Sequence, residues 1–245
     1  MITSRNNSKL KRVRKLLASA RERRETGLFV AEGVRLVSEI PPELLEEVLV
    51  SGSAPAGISP DEGRTEVVEP TLFQQLSDTV HPQGILAVVR KPCWKESEAL
   101  DKKTGKILLL DGVRDPGNLG TMIRTAEAAG VRAVYMSPDC VDLFNPKVIR
   151  STMGSIFRVP VFSAPLPEVI QKLQQRGIRV YATALSAVKS FRDADLEQAG
   201  IVIGSEANGI SREVAGCVQE CIKIPMAGQV ESLNAAVSAA ILMFA

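Results

Sequence analysis

A chain of 245 residues with 45% hydrophobic content is long enough to bury one large core or two modest ones, so a globular protein is the default. Cysteines at 93, 140, 217 and 221 lack framework spacing, one histidine (His81) sets aside most Ser-His-Asp and two-histidine schemes, and no run is apolar enough to span a membrane. The net charge of +2 conceals an asymmetry: Arg5, Lys9, Lys11, Arg12, Arg14, Lys15, Arg21, Arg23 and Arg24 crowd the start, and Glu39, Glu43, Glu46, Glu47, Asp61, Glu62, Glu66 and Glu69 then reverse the sign.

Leu10, Val13, Leu17 and Ala20 mark one helical face and the cations the others, which predicts a basic amphipathic helix within residues 1–24. Its charge favours a phosphate-tracking arm, with Lys9, Arg12 and Arg14 as phosphate contacts, over a solvated face docked on its own domain. Over 25–92, candidate helices (34–38, 43–47, 71–77) alternate with short strands (47–51, 84–89), the pattern of a small α/β domain. Residues 93–105 are polar and charged, as inter-domain linkers are. Over 106–245, strands recur at 107–111, 133–137, 158–162, 179–184 and 200–204 with helical stretches between, which predicts a mostly parallel sheet covered on both faces. Cys217 and Cys221 could share one side of a helical turn, but two thiolates do not complete a metal site, and no metal is expected. The chain starts without an apolar secretory segment, and a reducing cytoplasm is the expected location.

Three segments at strand ends carry chemistry. In LLLDGVRDPGNLGTMIRTAEAAGV, a buried strand meets turn residues Asp115-Pro116-Gly117 and then a helix. Asn118, Gly120 and the permanent cation Arg124 therefore lie at a strand-to-helix crossing, where α/β sheets hold ligands. In IVIGSEANGIS, the strand breaks at Gly204, which would let a planar ligand lie against bare backbone, and the Glu206 carboxylate follows. A plain strand-to-helix turn has equal weight there. In IKIPMAGQVESLNAAVSAAILMFA, a strand ends at Pro225, Gly228 opens a loop, and Ser232 sits where an N-cap would start the last helix. Ser232 and Asn234 are thus capping residues, functional residues or both. The small residues of that helix suit close packing, between subunits among other places. GxGxxG, P-loop and GxSxG fingerprints are absent, so a nucleotide-type cofactor would need another binding mode.

Taken together, N-x-G-x-x-x-R at 118–124, G-x-E-x-x-G-I-S at 204–211 and I-P-M-x-G-x-x-x-S-L-N at 224–234 resemble, in order and spacing, the signature motifs of the SpoU (TrmH) RNA methyltransferases of the SPOUT superfamily. RRETGLFVAEGVRLVSE resembles the start of that family's small substrate-binding domain, so the resemblance covers nearly the whole chain. It implies methyl transfer from S-adenosylmethionine to a ribose 2′-hydroxyl, in ribosomal RNA ahead of transfer RNA. It also implies an α/β fold whose mostly parallel sheet ends in a C-terminal trefoil knot, and a homodimer. By the same resemblance, Thr183, Gly204, Ile224, Met226 and Leu233 bind the cofactor, largely through backbone groups. Asn118, Arg124, Glu206, Ser232 and Asn234 surround the methyl group and the RNA as catalytic residues.

Asn145, Lys147 and Arg150, in FNPKVIRSTMGSIF, are expected RNA contacts near the cofactor, with an ordinary helix start as the equal alternative. Because an arginine side chain stays protonated, Arg124 is expected to stabilise a developing alkoxide or clamp a phosphate rather than act as a base. The bland alternative is an ion pair with Glu127 or Asp115. Two other classes compete: a non-catalytic RNA-binding or ribosome-assembly factor, and a small-molecule enzyme with a different nucleotide cofactor.

Overall fold

The amphipathic start folds as two helices, α1 (Ser8–Ala18) and α2 (Ala20–Thr26). Ser19 leaves helical geometry between them, and its hydroxyl accepts from Glu22 N at 3.2 Å to cap the second. The computed structural model describes residues 1–53, 55, 63–77, 79, 81–101 and 105–245, and Asp61, Glu62, Lys102 and Lys103 lie outside the described residues. It divides into two units, Met1–Cys93 with Asp142–Phe157, and Trp94–Val141 with Arg158–Ala245.

In the first unit, Leu10, Val13 and Leu16 of α1 are fully buried in a cluster with Val30, Leu49, Leu86 and Val88. The helix is docked on a sheet, and removing it would strip one face of a core. That sheet contains β1 (Leu28–Glu32), β2 (Leu45–Ser51), β3 (Thr65–Val68) and β4 (Ile85–Arg90) in the order β1-β4-β2-β3. Only the β2–β3 pair is parallel. Helices α3 (Val34–Ser38) and α4 (Pro70–Gln74) lie in its connections.

The helix expected over 43–47 is not formed. Leu45–Ser51 is one strand, because its Val-rich end continues the β-favouring pattern and its carboxylates face cations. Lys9 Nζ lies 2.6 Å from Glu47 and 2.7 Å from Glu66, Arg90 lies 2.6 Å from Glu46, and Arg12 lies 3.8 Å from Glu46. The charge reversal along the sequence is thus partly cancelled in space. Strands β1 and β3 escaped the sequence reading, since LFVAE is buried throughout and shows no alternation, and TEVV is only four residues long.

The second unit holds α5 (Glu96–Leu100), β5 (Ile107–Asp111), α6 (Pro116–Ala128) and β6 (Ala133–Met136). After α7 (Pro146–Thr152), which clusters with the first unit, come β7 (Val161–Ser163), α8 (Leu166–Gln175), β8 (Val180–Thr183), β9 (Lys189–Ser190), β10 (Gly200–Gly204), α9 (Arg212–Ala215), β11 (Glu220–Lys223) and α10 (Ala235–Phe244). The strands form one parallel sheet in the order β7-β6-β5-β10-β8-β11-β9. Every residue of β5 and β10 is buried, as apolar runs covered on both faces require. The chain winds outward from β5 through β6 to β7, then crosses back to build the other half, so the winding reverses between β5 and β10.

Two segments fall elsewhere than the sequence suggested. The polar run 93–105, expected as a linker, contributes α5, whose Ala99 and Leu100 are buried in the core of the second unit. The segment Asp142–Phe157, expected within the methyltransferase half, clusters with the first unit. Its Phe144 and Phe157 rings lie 5.0 and 6.2 Å from Phe29, and Asp142 pairs at 2.7 Å with Arg23, which is buried although it belongs to the basic start. Among the described residues, no helix is long and apolar enough to cross a membrane.

Candidate active site

Parallel pairing brings the motif segments to one edge of the sheet. Gly204, the last residue of β10, is in register with Asp111, the last of β5, and Thr183 at the end of β8 is in register with Ile222. These carboxyl ends flank the point where the winding reverses, which is where open α/β sheets bind ligands. A cavity of about 160 Å³ lined by Arg179, Val180, Tyr181, Gln219 and Glu220 lies instead at the amino ends of β8 and β11.

Gly204 is required for a reason other than the expected one. A Cβ there would stand 2.2 Å from the Gly209 carbonyl carbon and 2.5 Å from Ile210 N, so the returning loop, and not a planar ligand, occupies the space. The loop closes on itself as Ser205 N donates to Gly209 O at 3.0 Å and Gly209 N donates to Ser205 O at 2.9 Å. Its far end is held by buried Asp111, whose Oδ2 accepts from Ser211 N at 2.7 Å. Asp111 was missed in the sequence, where it read only as the polar end of an apolar strand.

Three of the expected catalytic residues meet. Asn234 Nδ2 donates to Asn118 Oδ1 at 3.0 Å, and Asn118 Nδ2 donates to Glu206 Oε1. Asp115 caps α6 by accepting from Asn118 N at 2.7 Å, and of the two capping candidates before α10 it is Asn234, not Ser232, that caps it. Ser232 lies two residues before that cap, too early to reach the first free N–H groups, and is exposed.

Arg124 does not join this cluster. Six residues beyond Asn118, it points about 120° away around the helix. It is exposed and, among the described residues, makes neither of the ion pairs considered. Glu127 pairs with Arg158 instead, and Asp115 is engaged as the cap.

The expected cofactor residues suit a flat, partly apolar ligand. Ile224, Met226 and Leu233 are half-buried in the segment between β11 and α10. Among the described residues, no backbone–backbone hydrogen bond uses the N–H or C=O groups of 224–233. Thr183 is half-buried, with its hydroxyl donating to Val202 O at 3.0 Å. All ten of these residues belong to the second unit, whereas Lys9, Arg12, Arg14, Asn145, Lys147 and Arg150 belong to the first. Lys9 and Arg12 face acids, Arg14 donates to Arg5 O at 2.9 Å, and Asn145 caps α7 by accepting from Lys147 N at 2.9 Å. Lys11 and Lys15, one turn apart on α1, are exposed and make no ion pair among the described residues.

A parallel sheet with polar loops converging at its carboxyl edge is the arrangement in which α/β enzymes hold their ligands. The chain belongs to the SpoU rRNA Methylase family, whose model matches residues 105–244, and an MRM3-like substrate binding domain matches residues 7–87. It is 36% identical to the 23S rRNA (guanosine(2553)-2'-O)-methyltransferase RlmP of Bacillus subtilis, over 99% of this chain and 97% of that one. Among solved structures it resembles the AdoMet-bound rRNA methyltransferase from Sinorhizobium meliloti, with a TM-score of 0.85, 27% identity and coverage of 99% and 95%. It also resembles the SpoU methyltransferase AviRb from Streptomyces viridochromogenes in complex with AdoMet, with a TM-score of 0.84, 27% identity and coverage of 98% and 96%.

Proposed function

We propose that this protein methylates a ribose 2′-hydroxyl of ribosomal RNA, using S-adenosylmethionine, in the cytoplasm. The observation that carries the reading is the convergence of Asn118, Glu206 and Asn234 at the carboxyl edge of the sheet in a chain related end to end to RlmP. Thr183, Ile224, Met226 and Leu233 would hold the cofactor, with backbone groups of 224–233 reading the adenine edge, and Gly204 lets the adjoining loop close beside them. When bound, S-adenosylmethionine supplies an activated methyl group on a sulfonium. The protein's part is to align the ribose oxygen and to ease the loss of its proton. Arg124, permanently protonated, stabilises the developing alkoxide or clamps the adjoining phosphate. Ser232, which is exposed, is available to the RNA.

The first unit serves as the RNA-binding domain in this reading. Lys11 and Lys15 are better placed than ion-paired Lys9 and Arg12 to meet phosphates, and Lys147 and Arg150 add cations on α7. The carboxyl-terminal part of the sheet is threaded as a trefoil knot. The protein works as a homodimer through α10, whose Val237 and Phe244 are 48% and 64% exposed and lie on one face.

The test incubates the purified protein with labelled S-adenosylmethionine and unmodified large-subunit, small-subunit or transfer RNA, followed by digestion to nucleosides. A 2′-O-methylated nucleoside from ribosomal RNA is the expected product. Label confined to transfer RNA would replace the substrate class, and cofactor binding without transfer to any RNA would favour a binding factor.

A further inference from the structure

We propose that Asn118, Glu206 and Asn234 are positioning residues, forming a hydrogen-bond chain whose polarity is imposed by the amino terminus of α10 and which holds the three motif loops in one arrangement. The proposal rests on the methyltransferase reading and deepens it. An N-cap must present an acceptor to N–H groups that have no partner within the helix. Asn234 Oδ1 does so, accepting from Ala236 N at 2.8 Å and Val237 N at 3.3 Å. Its Nδ2 is thereby turned away from the helix and donates to Asn118 Oδ1 at 3.0 Å. With that oxygen engaged, Asn118 offers Nδ2 to the other side and donates to Glu206.

The last member must then be an acceptor, which an ionised carboxylate is in full. A flipped amide at either asparagine would set donor against donor or acceptor against acceptor, so each link enforces the next. Both flanks are fixed independently. Asn118 N donates to Asp115 at 2.7 Å, and the Glu206 loop is closed by its own backbone and tied to Asp111 at 2.7 Å. The chain therefore joins α6, the loop after β10 and α10, and it engages Glu206 with protein rather than with substrate.

The test measures kcat and KM separately for transfer from labelled S-adenosylmethionine to unmodified large-subunit RNA by the full chain. Asn118→Asp sets a carboxylate against Glu206 and should lower kcat roughly a hundredfold, the scale of about an ångström of misplacement. Glu206→Gln still accepts from Asn118 and should lose no more than about tenfold. In the double variant Asn118→Asp/Glu206→Gln, the new amide donates to the new carboxylate, which also takes the Asn234 donor, and kcat should return to within about tenfold of wild type. Asn234→Asp keeps the cap but loses the donor, so kcat should fall while the thermal midpoint holds.

A double variant no better than Asn118→Asp alone, or a Glu206→Gln protein as impaired as Asn118→Asp, overturns the proposal and makes the carboxylate a catalytic group. Wild-type protein inactive on every RNA defeats the functional reading instead. The proposal is then read from amide hydrogen exchange of residues 205–211. Exchange accelerated by Asn118→Asp and restored in the double variant supports it, and exchange unchanged across the series overturns it.

Discussion

Arg124 and Arg23 carry the same charge and meet opposite fates, and the difference locates function. Arg23 is 3% exposed, pairs with Asp142 and donates to Leu17 O at 3.1 Å, so its charge is absorbed by the structure of the first unit. Arg124 is exposed on α6 and its charge remains available to an anion. Arg124→Ala is expected to leave the urea midpoint and S-adenosylmethionine affinity unchanged while reducing methyl transfer at least a hundredfold, as loss of one preorganised charge-stabilising group does. Near-normal turnover by the folded variant would remove Arg124 from the mechanism. Gly204 answers to sterics, because an added Cβ would overlap the backbone of Gly209 at 2.2 Å. Gly204→Ala should cost roughly 2–3 kcal/mol through forced displacement of the loop, seen as a lower urea midpoint, with cofactor affinity falling too. An unchanged midpoint would mean that the loop yields freely.

At the scale of elements, α5 is secured by Glu96, which accepts from Tyr135 Oη at 2.9 Å and pairs with Lys172 of α8. The Lys172 ammonium holds the Glu96 carboxyl below its ordinary value, with the Tyr135 hydroxyl assisting against the opposing effect of burial. A carboxylate depressed on folding stabilises above its unfolded pKa, and that contribution is lost as pH falls through the lower folded value. Glu96→Gln should therefore cost roughly 0.5–1 kcal/mol at pH 7, discounted because both partners are more than a third exposed. The gap to wild type should narrow as pH falls through the lowered folded value, which urea titrations at neutral and at acidic pH check. Helix α1 makes a different point. With Leu10, Val13 and Leu16 buried, deleting residues 1–24 would unfold the first unit rather than remove an arm. The informative variant is Lys11→Glu with Lys15→Glu, which should flatten the slope of log affinity for RNA against log salt by about 1.5. A constant slope would return α1 to a purely structural role.

For the whole molecule, the exposed apolar face of α10 is where the proposed second copy would dock. Val237→Glu with Phe244→Glu should shift the protein from dimer to monomer in sedimentation velocity without lowering its helix content, since both side chains are already more than two-fifths exposed in the single chain. A wild-type protein that sediments as a monomer at all concentrations would remove the dimer from the proposal. The parallel sheet was legible from two of its inner strands, which stand out as apolar runs: 107–111 and 200–204 match β5 and β10 residue for residue. Strands β3 and β9, with four and two residues, are too short to carry a periodic signal and so left no mark.

By itself, the sequence determined the mostly parallel α/β class and the placing of the motif segments at strand ends, because apolar runs, turn residues and motif spacing are local properties. Tertiary structure alone decided the assignment of Asp142–Phe157 to the first unit and the neutralisation of Lys9 by Glu47 and Glu66. It also decided that Gly204 makes room for its own chain and that Asn118 and Glu206 bond across 88 residues. Each of these depends on which distant atoms share a space, and no local pattern encodes that.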